Sequence, residues 1–315
     1  MRILVAGGAG FIGANLCREL LKTKENEVIC LDNEFTGKKK NIADLLLNKR
    51  FSYIHHNIIN PVNIRGKIDQ IYNLACPASP LHYQGKKAIY TTKTNIYGII
   101  NLLELAKKKK STVLQASTSE IYGEPATHPQ KEDYCGYVNP IGIRACYDEG
   151  KRCAESLLFD YHRIYGIKIK LVRIFNTYGP FMSCNDGRVV SNFICQALKN
   201  ENITIYGNGQ QTRSLCYVTD LINALIKMMN SPDAVLGPIN LGNPDEKSVE
   251  KIANLIIKLT NSKSKLTFHP LPSDDPTRRC PDISVAQKLL NWHPCININE
   301  GLLQTIKYFK NGNLS

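Results

Sequence analysis

The chain lacks any apolar run near the roughly 18 residues that a membrane-crossing helix needs, so no spanning segment is expected among its 315 residues. Its first strand-like run begins at Arg2, and we expect no signal peptide ahead of it. No two of the 11 cysteines stand as Cys-x-x-Cys, and none joins histidines at zinc-finger spacing. That absence argues against a structural metal and against a disulfide framework. Scattered cysteines such as Cys17, Cys30 and Cys195 read as buried free thiols of a reducing, cytoplasmic setting. Internal repeats and low-complexity linkers are missing too, which excludes solenoids and fibrous arrays. Acidic residues are scarce: 27 stand against 40 Lys and Arg, a net charge of +13. A basic surface attracts nucleic acid, but it also attracts phosphorylated small molecules. The lysine runs at 38–40 and 107–110 accompany no nucleic-acid-binding module. They read as solvated surface, the second closing a helical pattern where cations favour the negative end of the helix dipole. Neither a nucleic-acid nor a membrane partner is expected.

What is present is ordinary globular material, with 43% hydrophobic and 21% charged residues. A chain of this length buries roughly 75% of its unfolded surface, so it needs no covalent staple. Strand-like runs fall at 2–6 (RILVA), 27–31 (EVICL), 51–54, 70–74, 112–116 and 168–174, and helical patterns lie at 11–21, 88–110 and 147–165. Strands alternating with helices imply an α/β fold, a doubly wound parallel sheet covered on both faces. The alternation weakens after Ile174. Residues 176–187 read as loop, followed by a helix at 190–199, a strand at 203–206 and a Gly/Gln-rich loop at 207–212. Helices are expected at 218–230, 248–261, 283–290 and 299–309, while the prolines of 270–282 forbid a long helix there. The expected organisation is a Rossmann domain at 1–176 with a returning segment near 213–242. A smaller α/β lobe at 177–212 and 243–315 would close over the carboxyl edge of the sheet.

Gly7, Gly10 and Gly13 form a Gly-x-x-Gly-x-x-Gly turn between the first strand and helix. Glycines there let backbone N–H groups approach a pyrophosphate at a helix N-terminus. A glycine triplet alone is a weak signal. Asp32 strengthens it by closing the next strand, 22 residues after Gly10. An acid at that place can bond both adenosine ribose hydroxyls and would repel a 2′-phosphate, which favours NAD over NADP. Tyr147 and Lys151 stand four apart, on one face of a helix. A tyrosine has a pKa near ~10. A neighbouring ammonium and a positive nicotinamide ring would both favour the phenolate, fitting it to take a proton from a sugar hydroxyl. Tyr-x-x-x-Lys alone is common on exposed amphipathic helices. The order glycine turn, Asp32, Ser/Thr cluster after a strand, then Tyr/Lys is more specific, and it resembles the extended short-chain dehydrogenase/reductase family.

Further blocks narrow the resemblance. ACPASP (75–80), KTN (93–95), ASTSEIYG (116–123), HPQKEDY (128–134), CYDEGKR (146–152), RIFNTYGP (173–180), DGRVVSNFI (186–194), YGNGQQTRSLCYV (206–218) and DDPTRRCPD (274–282) are similar to the UDP-glucuronic acid decarboxylases, or UDP-xylose synthases. The match spans almost the whole chain. By position it implies a 4-oxygen contact for Thr118 and sites for Ser119 and Glu120 where related dehydratases carry Asp-Glu. Glu120 would position substrate and handle protons, and Arg279 would lie near the glucuronate carboxylate. Asn176, Arg188, Asn192, Tyr206 and Arg213 would hold the nucleotide-sugar, with Lys93 and Thr94 at its junction with the cofactor. NAD contacts are implied for Phe11, Ile12, Asn33, Asn57, Ile58 and Leu74 beside the glycines and Asp32. Metal ligands are not implied.

The resemblance thus implies conversion of UDP-glucuronate to UDP-xylose: oxidation at the sugar's 4-position, loss of CO₂ from the β-keto acid, and re-reduction. It also implies a homodimer built by packing two helices per subunit, 88–110 and 147–165, into a four-helix bundle. Rival readings on the same fold are a nucleotide-sugar 4-epimerase, a 4,6-dehydratase, a decarboxylase that releases the 4-keto pentose, and a non-catalytic NAD sensor. Ser119 in place of Asp, together with Arg279, argues against a dehydratase. The chain departs from the resemblance at Asn57, Cys76, Tyr90, Thr91, Cys135 and Phe181, none of which removes a catalytic group.

Overall fold

The structure, a computed structural model, describes residues 1–271 and 278–312. In chain order its elements are β1 (Arg2–Ala6), α1 (Phe11–Lys22), β2 (Glu27–Asp32), β3 (Phe51–His55), β4 (Gln70–Asn73), α2 (Pro80–Tyr83), α3 (Ala88–Lys109), β5 (Thr112–Thr118), α4 (Ala145–Tyr165), β6 (Ile169–Ile174), β7 (Thr177–Tyr178), α5 (Val189–Leu198), β8 (Ile203–Tyr206), β9 (Thr212–Ser214), β10 (Cys216–Tyr217), α6 (Val218–Met229), β11 (Ile239–Leu241), β12 (Glu246–Ser248), α7 (Val249–Thr260), β13 (Leu266–His269), α8 (Ser284–Leu290) and α9 (Ile298–Lys310).

Seven strands form one sheet in the order β11-β6-β5-β4-β1-β2-β3, and every pairing within it is parallel. The central strands are apolar on both faces, as a sheet covered by helices on both sides requires. Ile3, Leu4, Val5, Val113 and Leu114 are fully buried. Ile3 and Val5 join the core that includes Leu16 and Cys17 of α1 and Leu221 and Leu225 of α6. Leu4 points the other way, into the core shared with Ile99 and Leu102 of α3 and Ala154 and Leu158 of α4. The alternation of one strand between two cores is the period-two rule at work.

Around this sheet sit three two-stranded sheets, β10-β7, β12-β9 and β13-β8. The expected helices after residue 176 are present within a residue or two of their expected ends, but several strands were not foreseen. β7 and β10 have two residues each and β12 has three, too short to show periodicity. β11 joins the main sheet beside β6, Ile239 pairing with Val172.

The expectation of free thiols needs one correction. Nine cysteines are free, but Cys184 and Cys195 form a disulfide. They lie 11 residues apart in sequence, with Cα atoms 5.8 Å apart. One is on the loop before α5 and the other on α5 itself, a proximity that linear spacing does not reveal. No described helix is long and apolar enough to cross a membrane.

Candidate active site

The carboxyl ends of β1, β2, β4, β5 and β6 open into a cavity of about 950 Å³, at the upper end of the range for small-molecule sites. Its cofactor side starts at the turn between β1 and α1. Gly7 has φ +79°, and a Cβ on it would meet the Ala75 backbone at 2.9 Å. A Cβ on Gly13 would strike the Gly7 carbonyl at 2.1 Å. The turn therefore admits glycine alone at both places, and helix α1 begins directly behind it. No acidic residue stands in the first turn of α1, so its N–H groups and dipole remain available to a phosphate.

Asp32, only 7% exposed, ends β2 facing that turn. It accepts the Ala9 N–H at 3.0 Å on one oxygen and the Glu34 N–H at 2.8 Å on the other. Burial pushes its carboxyl up, and those backbone hydrogen bonds work against the rise. Each oxygen keeps a lone pair for a ribose hydroxyl. Phe11, Ile12, Asn33, Asn57, Ile58, Leu74 and Thr94 line the same cavity. The glycine cradle, the acid and the open helix start fit the adenosine and diphosphate of NAD.

On the other side, β5 delivers Thr118 at its end and Ser119 and Glu120 in the turn that follows. Thr118 caps this turn, accepting the Glu120 N–H at 3.3 Å. Helix α4 brings Tyr147 and Lys151, respectively 6% and 4% exposed. Lys151 Nζ donates to the Ala116 carbonyl at 2.9 Å and lies 5.9 Å from the centre of the Tyr147 ring. Burial drives the Tyr147 phenol up, and the Cys76, Glu120 and Asp148 side chains add to the rise, while a hydrogen bond with Thr118 opposes it. The expected activation combines Lys151 with a positive nicotinamide ring; within the protein's own side chains burial favours the neutral phenol.

Glu120 sits between two arginines. Arg279, 2% exposed, reaches one carboxylate oxygen with Nε at 3.4 Å, and Arg144 Nη2 binds the other. Burial raises the Glu120 carboxyl, but the charges of Arg279 and Arg144 outweigh that and hold it at about 2. In this arrangement the two guanidinium groups favour the Glu120 carboxylate, which suits a positioning role.

The cavity also gathers Asn176, Arg188, Asn192, Tyr206 and Arg213. Asn192 Oδ1 accepts the Gly187 N–H at 3.1 Å. Arg188 pairs with Asp186 and lies 5.6 Å above the Phe11 ring, linking the loop before α5 to α1. Lys93 is the exception: it is exposed and does not line the cavity. One residue along a helix turns a side chain by about 100°, so Thr94 faces inward and Lys93 faces solvent. Phe181 packs instead of bonding, with the Arg18 guanidinium 4.1 Å from its ring centre. Residues 274–277 of the DDPTRRCPD block lie outside the described residues.

Sequence reading missed three residues here. Tyr83 stacks on Tyr147 at 4.8 Å with an interplanar angle of 7°. Arg144 holds Glu120. Asp148 lies beside Arg144, Oδ2 to Nε being 3.9 Å, and it is pushed up to about 7, by burial first and then by the Glu120 charge. Asp148 falls in the block 146–152 and Arg144 just before it, but nothing in that spacing says that they meet Glu120. Outside the cavity, His128, Glu246 and Cys280 bring three donor atoms within 4.8 Å of one another. His128 already pairs with Glu246 at 3.3 Å, and the Cys280 thiol contacts the Pro244 carbonyl at 3.5 Å.

Residues 3–242 match the NAD dependent epimerase/dehydratase family. The chain is 50% identical to UDP-glucuronic acid decarboxylase 3 of Arabidopsis thaliana over 302 residues, 96% of this chain and 87% of that one. It is 50% identical to UDP-glucuronic acid decarboxylase 1 of Xenopus tropicalis over 309 residues, 98% of this chain and 72% of that one. Among solved structures, the UDP-glucuronic acid 4-epimerase of Bacillus cereus in complex with UDP-glucuronic acid and NAD superposes with a TM-score of 0.89 at 30% identity, covering 99% of both chains. By the extent of these matches the chain is a member of the NAD dependent epimerase/dehydratase family.

Proposed function

We propose that this protein is an NAD-dependent UDP-glucuronate decarboxylase that yields UDP-xylose. The observation that carries the reading is the buried Arg279 guanidinium, brought into one cavity with Thr118, Tyr147 and Lys151. A carboxylated sugar needs such a cation, and the half-identical relatives named as UDP-glucuronic acid decarboxylases support the same substrate.

NAD, when bound, supplies a hydride acceptor at the sugar's 4-position, which later gives the hydride back, and a positive charge beside Tyr147. Tyr147 takes the 4-hydroxyl proton, and Lys151 one turn along the helix stabilises the phenolate. Oxidation leaves a ketone β to the carboxylate, so the electron pair of the breaking C–C bond passes into an enolate as CO₂ departs. Thr118, hydrogen-bonded to Tyr147, donates to the oxygen on which that charge develops. The enolate carbon takes a proton from water, which restores the ketone, and once the hydride has been given back Tyr147 returns its own proton to the 4-oxygen. Arg279 orients the carboxylate. Too tight a pairing in the ground state would oppose CO₂ loss, and Glu120, already bound to Arg279, weakens that grip. Arg188, Asn192, Tyr206 and Arg213 hold the nucleotide end.

Mass spectrometry of UDP-glucuronate incubated with protein and NAD tests the reading. Loss of CO₂ with little net NADH is expected. A product of unchanged mass, or one that has lost water, would replace it with epimerisation or dehydration. The same reading includes a homodimer through α3 and α4, on which Ile89, Tyr97 and Ile164 are exposed at 73%, 51% and 70%; light scattering of the purified protein tests it. Nine free cysteines favour a reducing, cytoplasmic setting, and the Cys184–Cys195 disulfide counts against it.

A further inference from the structure

The cofactor groove has two walls that touch. One is the segment after β2, where Asn33 and Phe35 follow Asp32. The other is the start of α3, which carries Tyr90. All three side chains line the cavity. Across it, Asn33 Nδ2 donates to the Tyr90 hydroxyl at 2.6 Å. The Phe35 and Tyr90 rings stack with centroids 4.5 Å apart and an interplanar angle of 29°. Lys87 Nζ lies 5.7 Å from the centre of the Phe35 ring.

The first wall is itself held in shape. The Asn33 side chain accepts the Phe35 N–H at 3.2 Å, which fixes the direction in which its amide points. Farther along, the Lys38 N–H returns to the Ala9 carbonyl at 3.1 Å, and the Asn41 amide donates to that same oxygen at 2.9 Å. The segment is thus anchored at both ends, to Asp32 and to the glycine turn, with its middle reaching over to α3. A roof runs across the adenosine half of the groove.

We propose that Tyr90, Asn33 and Phe35 form a clasp over the cofactor groove, which must part for NAD to enter or leave. The proposal rests on the NAD reading above. It supplies what the reaction demands: a cofactor that takes a hydride and must return it to the same sugar cannot leave in mid-cycle. Tyr90 is then a positioning residue, acting through the loop that it holds down.

The test uses the full chain and NADH fluorescence in stopped flow, measuring association with the protein and release into excess NAD. Tyr90→Phe keeps the ring and loses the hydrogen bond, so both rates should rise by about fivefold. Tyr90→Ala loses the stack as well, and both should rise by roughly thirtyfold. Parallel acceleration is the signature of a gate, because a side chain that merely touches the cofactor changes release and leaves association alone. Wild-type protein that takes up no NADH overturns the cofactor reading and the clasp with it. Wild-type protein that binds NADH but exchanges it no more slowly than either variant overturns the clasp alone. So does acceleration confined to release.

Discussion

Replacing Glu120 by glutamine removes one negative charge from between Arg144 and Arg279 and keeps the side chain's shape. The folded protein holds this carboxyl at about 2 instead of its ordinary 4.5, a difference worth roughly 3 kcal/mol of folding stability. The side chain is 15% exposed, so solvent screening takes little from that figure. The sign follows from the depressed value. The contribution is fully present above about pH 4.5 and is lost as the pH falls toward 2, where the folded carboxyl also takes its proton. Glu120→Gln should therefore melt well below the wild type at pH 7, by on the order of 5–10 °C for a chain of this size. The stability gap should shrink below pH 4.5, by up to ~1.4 kcal/mol for each pH unit. Thermal melts of both proteins between pH 7 and pH 3.5 measure it. A gap that stays constant with pH, or no gap at all, would refute the view that the two arginines hold Glu120 as a buried anion. The variant should also lose turnover of UDP-glucuronate, because Arg279 then faces the substrate carboxylate without its competing partner.

Tyr147→Phe should lower decarboxylation by about 10²–10⁴-fold, the usual worth of a general base, while NADH still binds in a fluorescence titration; full turnover would remove the base from the scheme. Arg279→Lys keeps the charge but loses the planar fork, so the KM for UDP-glucuronate should rise by roughly tenfold, and an unchanged KM would argue against a carboxylate contact. Asp32→Asn should shift the NAD to NADP preference in kcat/KM toward NADP by about tenfold or more; no change in that ratio would contradict the assigned ribose contact. Asp148 behaves oppositely to Glu120, since its folded carboxyl lies at about 7, above its ordinary 3.8. Its raised value favours folding at low pH and is lost as the pH climbs through 7, so Asp148→Asn should gain stability over the wild type between pH 4 and 7 and show no gain at pH 4.

The glycine turn, Asp32 and the Tyr147/Lys151 pair were legible because each is local. A turn or a single helical step fixes the geometry, and local rules translate spacing into proximity. The resemblance placed Arg279 and Arg213 near the nucleotide-sugar, and both line the cavity. Lys93 shows where transfer by position fails, for a motif can be shared while one of its side chains faces outward. The charge arrangement was not legible at all. Arg144 precedes α4, Glu120 follows β5, Asp148 lies on α4 and Arg279 comes from the distant C-terminal part of the chain. Only the fold brings these three segments together, Arg144 and Asp148 sharing the start of α4, and only their meeting sets the Glu120 carboxyl low and the Asp148 carboxyl beside it high. The two carboxylates differ in their partners. Glu120 has a guanidinium on each oxygen, whereas Asp148 feels the charges of Arg144, with Nε at 3.9 Å, and of Arg279 and keeps a buried Oδ1 with no hydrogen bond. Burial favours the neutral form of both. In Glu120 the paired guanidinium groups outweigh it; in Asp148 the same two cations, opposed by the Glu120 charge, do not. Sequence supplies the residues for this contest, and distances of a few ångströms decide its outcome.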